Sequence, residues 1–212
     1  MSGYILHISG PPGAGKSTFV EHMTRDNECA EYRWRGSPLY LLRYEPAGVW
    51  EIGQSATDEK PRRGSDRLTM NVIEYAWPWI KTWQPKLVMI EGARLEARSW
   101  RAACDGLGYM YQVAYIDIDE ATSLARLGDR AQEEKWLRAR RTQTRGFADS
   151  SRCPKFMDGR NTVVSLVAEL RAFGCPVAAA FARGREAQSG PLRETPPKLV
   201  AEEQPPLQPS LL

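Results

Sequence analysis

An α/β fold built on a central parallel sheet follows from three features of this sequence. Short, mostly apolar runs recur at residues 4–8, 87–90 and 111–118, the length of buried strands rather than of helices. Stretches with helical spacing alternate with them, and strand–helix alternation implies parallel pairing because a parallel connection must cross a sheet face. The turn after the first run, Ser9-Gly10-Pro11-Pro12-Gly13-Ala14-Gly15-Lys16-Ser17, is glycine-rich and leads straight into a helical segment.

In chain order, Tyr4-Ile5-Leu6-His7-Ile8 is the first strand and Gly15 to about Arg25 the first helix, with Phe19, Val20 and Met23 facing the core. Residues 38–44 and 49–52 flank Glu45-Pro46-Ala47-Gly48 and predict two strands joined by a turn; Arg62 to Asp66 is a polar loop. Leu68, Val72, Ile73, Ala76 and Ile80 recur at helical spacing, and Pro78, lacking an N–H, is expected to kink or restart that helix. Leu87-Val88-Met89-Ile90 is a strand ending at Glu91-Gly92, followed by a helix from about Glu96 to Leu107 and a strand from Tyr111 to Ile118. Residues 121–145 are helical and highly charged, 147–159 irregular, 162–173 helical, and Val177 to Phe181 a short strand candidate. From Gly184 the last 29 residues carry six prolines, so the expected organisation is a domain over 1–183 and a disordered tail over 184–212, with no internal repeat.

At 212 residues the chain excludes a large multidomain machine, and 42% apolar with 26% charged residues describes a globular protein able to build a core. Four cysteines lie far apart with no CxxC pair, and only His7 and His22 could join them, so neither a disulfide framework nor a zinc site is expected. A reducing, cytoplasmic compartment follows. No signal-peptide pattern opens the chain, and its longest apolar stretch, 175–182, is too short to cross a bilayer, so no membrane association is expected. Net charge is only +3, yet residues 126–160 hold ten Lys or Arg against five Asp or Glu. Such concentration fits a polyanion, either nucleotide phosphates or a nucleic-acid backbone.

Gly10 to Ser17 is a complete GxxxxGK[ST] between a strand and a helix, the phosphate-binding loop of a P-loop NTPase. Gly10, Pro11, Pro12, Gly13, Ala14 and Gly15 supply a curled backbone whose N–H groups face a β-phosphate, and the helix that follows adds its positive N-terminal end. Lys16 is expected to bridge the β- and γ-phosphates of ATP, Ser17 to bind Mg²⁺ and Thr18 to lie near the α-phosphate. Glu91, at the C-terminal end of a buried strand, is the candidate Walker B-like carboxylate and second magnesium ligand, because ligands of open parallel sheets sit off the carboxyl ends of strands. Asp117 and Asp119 also follow a strand, but Asp119 has the placing of a helix N-cap. Arg126 and Arg130, then Arg138, Arg140, Arg141 and Arg145, form a charged stretch read as an arginine-bearing lid over about 126–160, where guanidinium groups can neutralise a γ-phosphate in transfer. A three-layer P-loop kinase fold is the result.

Some of these residues also carry a family resemblance. The loop GPPGAGKST with Tyr44-Glu45-Pro46 resembles nucleoside and nucleotide kinases, among which thymidylate kinases carry a similar Glu-Pro. The runs Glu51-Ile52-Gly53, Arg63-Gly64-Ser65-Asp66-Arg67-Leu68-Thr69-Met70 and Ile90-Glu91-Gly92-Ala93-Arg94-Leu95 resemble a narrower group. So do Arg140-Arg141, Arg145-Gly146, Phe156, Gly159-Arg160 and Thr162. These are bacteriophage P-loop kinases of thymidylate kinase-like type, among them the 5-hydroxymethyluridine DNA kinases, and the resemblance covers roughly 3–173. That group usually reads Gly-Thr-Asp and Glu-Gly-Asp-Arg where this chain has Gly64-Ser65-Asp66 and Glu91-Gly92-Ala93-Arg94, so Ala93 removes a carboxylate.

The resemblance implies transfer of the ATP γ-phosphate to the 5-hydroxymethyl group of 5-hydroxymethyluracil in DNA, with Mg²⁺. A neutral alcohol needs a general base; Asp66 is the first candidate, with Glu45 and Glu91 as competitors. Arg94 and Arg160 are the candidate substrate-binding residues, with Arg141 and Arg145 on the catalytic side. A base in a duplex must be flipped or exposed to reach a buried loop, so aromatic platforms would help; Trp77, Trp79, Trp83, Trp100 and Trp136 are candidates, although helical spacing assigns Trp77 and Trp100 to the core. A soluble deoxynucleoside monophosphate kinase is the alternative, needing one arginine clamp such as Arg94 or Arg43, and a non-catalytic module binding NTP and DNA is a third reading.

Overall fold

The computed structural model describes residues 3–54, 64–128 and 134–188, and in it seven strands form one sheet in the order β2-β3-β4-β5-β1-β6-β7. The strands are β1 (Gly3–Ser9), β2 (Glu28–Arg33), β3 (Tyr40–Glu45), β4 (Val49–Ile52), β5 (Leu87–Glu91), β6 (Tyr109–Asp117) and β7 (Cys153–Asp158). The helices are α1 (Lys16–Thr24), α2 (Val72–Trp83), α3 (Arg98–Gly106), α4 (Glu120–Leu127), α5 (Glu134–Asp149), α6 (Val163–Ala172) and α7 (Pro176–Gln188). β4, β5, β1, β6 and β7 run parallel, while β2 and β3 add an antiparallel edge. The expected α/β P-loop fold is therefore present.

Alternation along the buried strands decides which helix covers which face. Leu6 and Ile8 of β1 pack with Phe19, Val20 and Met23 of α1, Leu166 and Leu170 of α6 and Phe181 of α7. Ile5 points the other way, into a second cluster with Val72, Ala76, Trp79 and Ile80 of α2, Trp100 of α3 and Phe147 of α5. Two cores separated by one sheet give the three-layer architecture. Trp79 and Trp100 are wholly buried, so neither can stack on a base; Trp77 packs against the same core, and Trp83 and Trp136 are exposed.

Four expectations are corrected. Residues 177–181 are helical, within α7, rather than a strand. Pro176 at the first helical position, the following alanines and the Ala179 N–H bonded to the Cys175 carbonyl at 3.0 Å all favour a helix, and a five-residue apolar run has no period of its own. The stretch 147–159, read as irregular, contains the end of α5 and all of β7, an edge strand where Pro154 is tolerated. The helix expected over 121–145 is divided into α4 and α5, and Arg130 lies outside the described residues. Finally, α2 continues through Pro78 without restarting; Pro78 and Glu74 are both exposed, so the carbonyl that loses its donor faces water. β2 carried no sequence signal because all six residues are exposed, and its charged Glu28, Glu31 and Arg33 suit an outer edge.

Asp119 caps α4 by accepting the Thr122 N–H at 2.7 Å, as its position predicts, and Thr162 caps α6 by accepting the Ser165 N–H at 3.2 Å. α7 ends at Gln188, and the proline-rich stretch beyond it, like Arg63, lies outside the described residues. Among the described residues no single helix is long and apolar enough to cross a membrane.

Because Trp79 is fully buried between α2 and the sheet, Trp79→Ala is expected to lower unfolding free energy by about 3–5 kcal/mol. Urea denaturation followed by circular dichroism measures it, and a loss below about 1 kcal/mol would contradict this packing.

Candidate active site

The site is built where β1 and β5 end side by side. Their register pairs His7 with Ile90 and Ile8 with Glu91, so the phosphate loop leaving β1 and the Glu91-Gly92 turn leaving β5 emerge at the same level. Gly13 and Gly15 take φ values of 76° and 88°, which let the loop curl before α1 begins at Lys16. Lys16 Nζ crosses back over the loop, donating to the carbonyls of Gly10 at 2.9 Å and Pro11 at 3.1 Å. Ser123 of α4 braces the outside by donating to the Pro12 carbonyl at 2.6 Å.

Ser17 and Glu91 meet, Ser17 Oγ donating to Glu91 Oε1 at 3.3 Å. A hydroxyl and a carboxylate are hard oxygen donors, the kind Mg²⁺ takes when phosphate oxygens and water complete its shell, so this pair fits that ion. Gly64 is held against the same carboxylate; a Cβ there would stand 2.1 Å from Glu91 Oε2, so only glycine allows the approach. Gly64 exchanges backbone hydrogen bonds with Gln54, and Ser65 Oγ donates to the Glu91 carbonyl at 2.9 Å.

That packing delivers Asp66. Its Oδ1 accepts the Ala93 N–H at 2.8 Å, and the residue is exposed at the mouth of the site. Arg94, next along, donates to the sulfur of Met70, a weak acceptor, which leaves its guanidinium uncommitted to any carboxylate among the described residues.

Glu45 is corrected as a candidate base by topology. β3 runs antiparallel to β4, so Glu45, at the end of β3 beyond the Tyr44–Val49 pair, lies at the opposite end of the sheet from Gly10. There it pairs with Arg43 at 2.5 Å, and Arg43 in turn lies over Trp50 at 4.9 Å. Neither can serve the phosphate loop, so the Glu-Pro likeness to thymidylate kinases does not extend to its position.

The basic stretch is less open than its charge excess implied. Arg145 bonds Asp117 at 2.8 Å and Asp149 at 3.2 Å and lies over Phe156 at 4.5 Å, while Arg141 donates to the Ile118 carbonyl. Arg138 pairs with Glu120 and Glu134, Lys155 with Glu169, and Arg126 donates to the Gly159 carbonyl. Arg160 grips Asp158 through guanidinium hydrogen bonds of 2.9, 3.1 and 2.7 Å and its own N–H at 3.0 Å, which hold the Asp158 carboxyl at about 2. These arginines sit along the C-terminal ends of β6 and β7, and none of them touches Lys16, Ser17, Asp66 or Glu91 through a described contact.

Two groups were not singled out from sequence. His7 is completely buried beneath the Gly92 turn, its Nε2 2.9 Å from the Gly92 carbonyl and its Nδ1 2.7 Å from the Tyr111 hydroxyl. A carbonyl only accepts, so Nε2 carries the proton and Nδ1 accepts from Tyr111; burial lowers the imidazole to about 4. Glu96, read as a helix start, is buried beside the loop, with Oε1 accepting from Ser9 Oγ at 2.6 Å and Oε2 3.8 Å from Arg140 Nη2. Burial raises its carboxyl, opposed by the Ser9 hydrogen bond and the charges of Lys16 and Arg140. Its only sequence signal was a carboxylate five residues beyond Glu91.

A family model described as P-loop Nucleotide Kinase3 matches residues 1–169. No curated protein matches. A solved sugar kinase from Janibacter sp. HTCC2649 is similar at 14% identity and TM-score 0.47, over 84% of this chain and 98% of that one. Deoxyadenosine kinase from M. mycoides is similar at 12% identity and TM-score 0.41, over 80% and 97%. A gluconokinase from Sinorhizobium meliloti 1021 is similar at 15% identity and TM-score 0.41, over 88% and 95%.

The neutral His7 has a thermodynamic consequence. Its folded value of about 4 lies below the unfolded value near 6.5, so at pH below about 6.5 the unfolded chain binds a proton that the native state refuses. Stability from His7 is whole above pH 6.5 and falls by roughly 3 kcal/mol as pH drops towards 4. Glu96, raised in the fold, works in the opposite direction. The difference between urea-denaturation curves of the wild type and His7→Gln across pH 4–7 therefore isolates the imidazole, and a constant difference would refute the assignment.

Proposed function

We propose, for a chain that belongs to the P-loop Nucleotide Kinase3 family, a magnesium- and ATP-dependent transfer of phosphate to the 5-hydroxymethyl group of 5-hydroxymethyluracil in DNA, a step in thymidine hypermodification of phage DNA. The observation that carries the choice of acceptor is Asp66: an exposed carboxylate, fixed by the Ala93 N–H beside the Ser17–Glu91 pair. An acceptor phosphate is already an anion and calls for cations, whereas a primary alcohol must lose a proton as it attacks and calls for a base. A carboxylate at the mouth therefore supports an alcohol acceptor over a nucleoside monophosphate. The displacement of Glu45 to the far end of the sheet supports it further, since that residue tied the chain to monophosphate kinases.

In this reading Asp66 takes the proton of the hydroxymethyl group as its oxygen attacks the γ-phosphorus. The bond from phosphorus to the β,γ-bridging oxygen breaks, ADP departs with that oxygen, and a phosphomonoester remains on the base. Lys16 and the loop N–H groups stabilise charge on the transferring group. Ser17 and Glu91 would hold Mg²⁺, which supplies neutralisation of the β- and γ-phosphate oxygens. Arg94, which meets no acid among the described residues, would meet a backbone phosphate of the acceptor strand, and Arg160 would have to exchange Asp158 for one. Exposed Trp136 remains available as a stacking surface, whereas Trp83, at the opposite end of the sheet where β5 begins, packs edge-on against Trp34 and Trp50. The enzyme would work in the cytoplasm, where ATP is supplied.

Transfer of label from γ-labelled ATP to 5-hydroxymethyluracil DNA, ordinary DNA and 5-hydroxymethyl-dUMP tests the proposal directly. Label in the modified DNA is expected, and label confined to the monophosphate would make this a soluble nucleotide kinase. Asp66→Asn should lower kcat by about 10²-fold or more, and Lys16→Ala should abolish transfer in a folded protein. Glu45→Gln should leave kcat unchanged.

A further inference from the structure

Of the stretch read from sequence as an arginine-bearing lid, Arg140 lies closest to a buried carboxylate, Glu96, that has no part in the proposed transfer, and the pair sits beside the phosphate loop in an arrangement that is costly to maintain. Glu96 is only 1% exposed, and its Oε2 makes no hydrogen bond among the described residues. A buried carboxylate oxygen without a donor costs free energy, and the nearest cation, Arg140 Nη2 at 3.8 Å, is outside hydrogen-bonding distance. The other oxygen is bound to Ser9, the residue immediately before Gly10, whose carbonyl holds Lys16. Glu96 thus stands in contact with the loop on one side and with α5 on the other. Both Lys16 and Arg140 act on its charge.

Arg140 differs from its neighbours on α5. Arg138 is committed to Glu120 and Glu134, Arg141 to the Ile118 carbonyl, and Arg145 to Asp117 and Asp149. Arg140 uses one donor, to Gln143 Oε1 at 2.6 Å on its own helix, while a guanidinium has five. Its side chain is 23% exposed, so it is neither sealed in the core nor extended into water.

We propose that Glu96 is a positioning residue that holds the Arg140 guanidinium beside the phosphate loop, and that Arg140 is the arginine of α5 that meets the γ-phosphate of the bound nucleoside triphosphate. The inference rests on the kinase reading but not on the identity of the acceptor. Two cations, Lys16 and Arg140, would repel each other in the empty cleft, and the carboxylate between them reduces that repulsion. The long Glu96–Arg140 separation leaves the guanidinium able to share its remaining N–H groups with a phosphate, where bidentate, charge-assisted hydrogen bonds replace a loose ion pair. A third phosphate is the feature Arg140 would detect.

Calorimetric titration of the full chain with ATP and with ADP, both with Mg²⁺, tests this without any acceptor. Arg140→Ala should weaken ATP binding by about tenfold or more while changing ADP binding by less than about threefold. Glu96→Gln should shift the ATP-to-ADP ratio in the same direction by a smaller factor. The double variant should be no worse than Arg140→Ala alone, because Glu96 acts through Arg140. Added guanidinium should restore ATP affinity to Arg140→Ala, and Arg138→Ala should match the wild type. Equal losses for both nucleotides, accompanied by a lower Tm, would make the pair a structural tie and overturn the proposal. So would a loss of discrimination that appears in Arg141→Ala or Arg145→Ala and not in Arg140→Ala. A wild type that binds neither nucleotide would overturn the kinase reading and this inference together, an outcome distinct from a wild type that binds both with Arg140→Ala unchanged.

Discussion

The parallel pairing of β1 with β5 is the constraint on which the functional end depends. Its register sets Ile8 opposite Glu91, and from that single alignment Ser17 reaches Glu91, His7 reaches the Gly92 carbonyl and Ser9 reaches Glu96. A slip of one residue would turn Glu91 to the other face of the sheet, against α2, and carry Gly92 out of reach of the imidazole. The glycine contacts act in the same direction. Gly64 can lie on the Glu91 carboxylate only because no Cβ intervenes, and the hydrogen bonds that follow, Ser65 to the Glu91 carbonyl and Ala93 to Asp66, carry a carboxylate from a separate segment to the mouth.

Buried polar groups under the site are arranged so that each constrains a turn rather than a side chain alone. Neutral His7 spans Tyr111 of β6 and the Gly92 carbonyl in the turn just after β5, which ties the central strand to both neighbours through one ring. Protonation would replace the acceptor at Nδ1 with a second donor and set it against a hydroxyl that already donates, so low pH opposes this geometry as well as charging a dry site. Glu96 is the opposite case, a charge kept near cations at some cost in burial. The two together give the end of the sheet fixed backbone and adjustable charge, a division suited to binding a polyanion whose charge changes during the reaction.

How much of this was legible in the sequence depends on the range of the interactions. The phosphate loop, α1 and the cap at Asp119 are local, written in consecutive residues with their own turn chemistry, and they are found where the residues imply. Glu91 was legible because a buried run announces its strand and the strand's end announces the site. β7 and α7 were misread because a short apolar or mixed run has no period, and what decides it is the neighbouring element: β6 for Cys153–Asp158 and the α1–α6 surface for Pro176–Gln188. Glu45 fails for a different reason. Its motif is local, but its position depends on β3 running antiparallel, which no property of Tyr44-Glu45-Pro46 encodes.

The charge excess of residues 126–160 illustrates the same limit in electrostatics. Counted along the chain it describes a cationic face; folded, Arg138, Arg145 and Arg160 meet acids from β6, β7, α4 and α5, so the field outside is weaker than the count. Exposed pairs of this kind contribute little to stability, and an arriving phosphate can displace them at small cost. In the proposed reading, a surface of loosely held arginines would follow a nucleic-acid backbone by exchange of partners rather than by standing charge. Strand recognition at the mouth would then fall first to Arg94, which meets no acid among the described residues and is adjacent to the Ala93 N–H that fixes Asp66. The base and the nearest phosphate contact would share one turn of backbone, which couples the place where the strand is gripped to the place where its hydroxyl loses a proton.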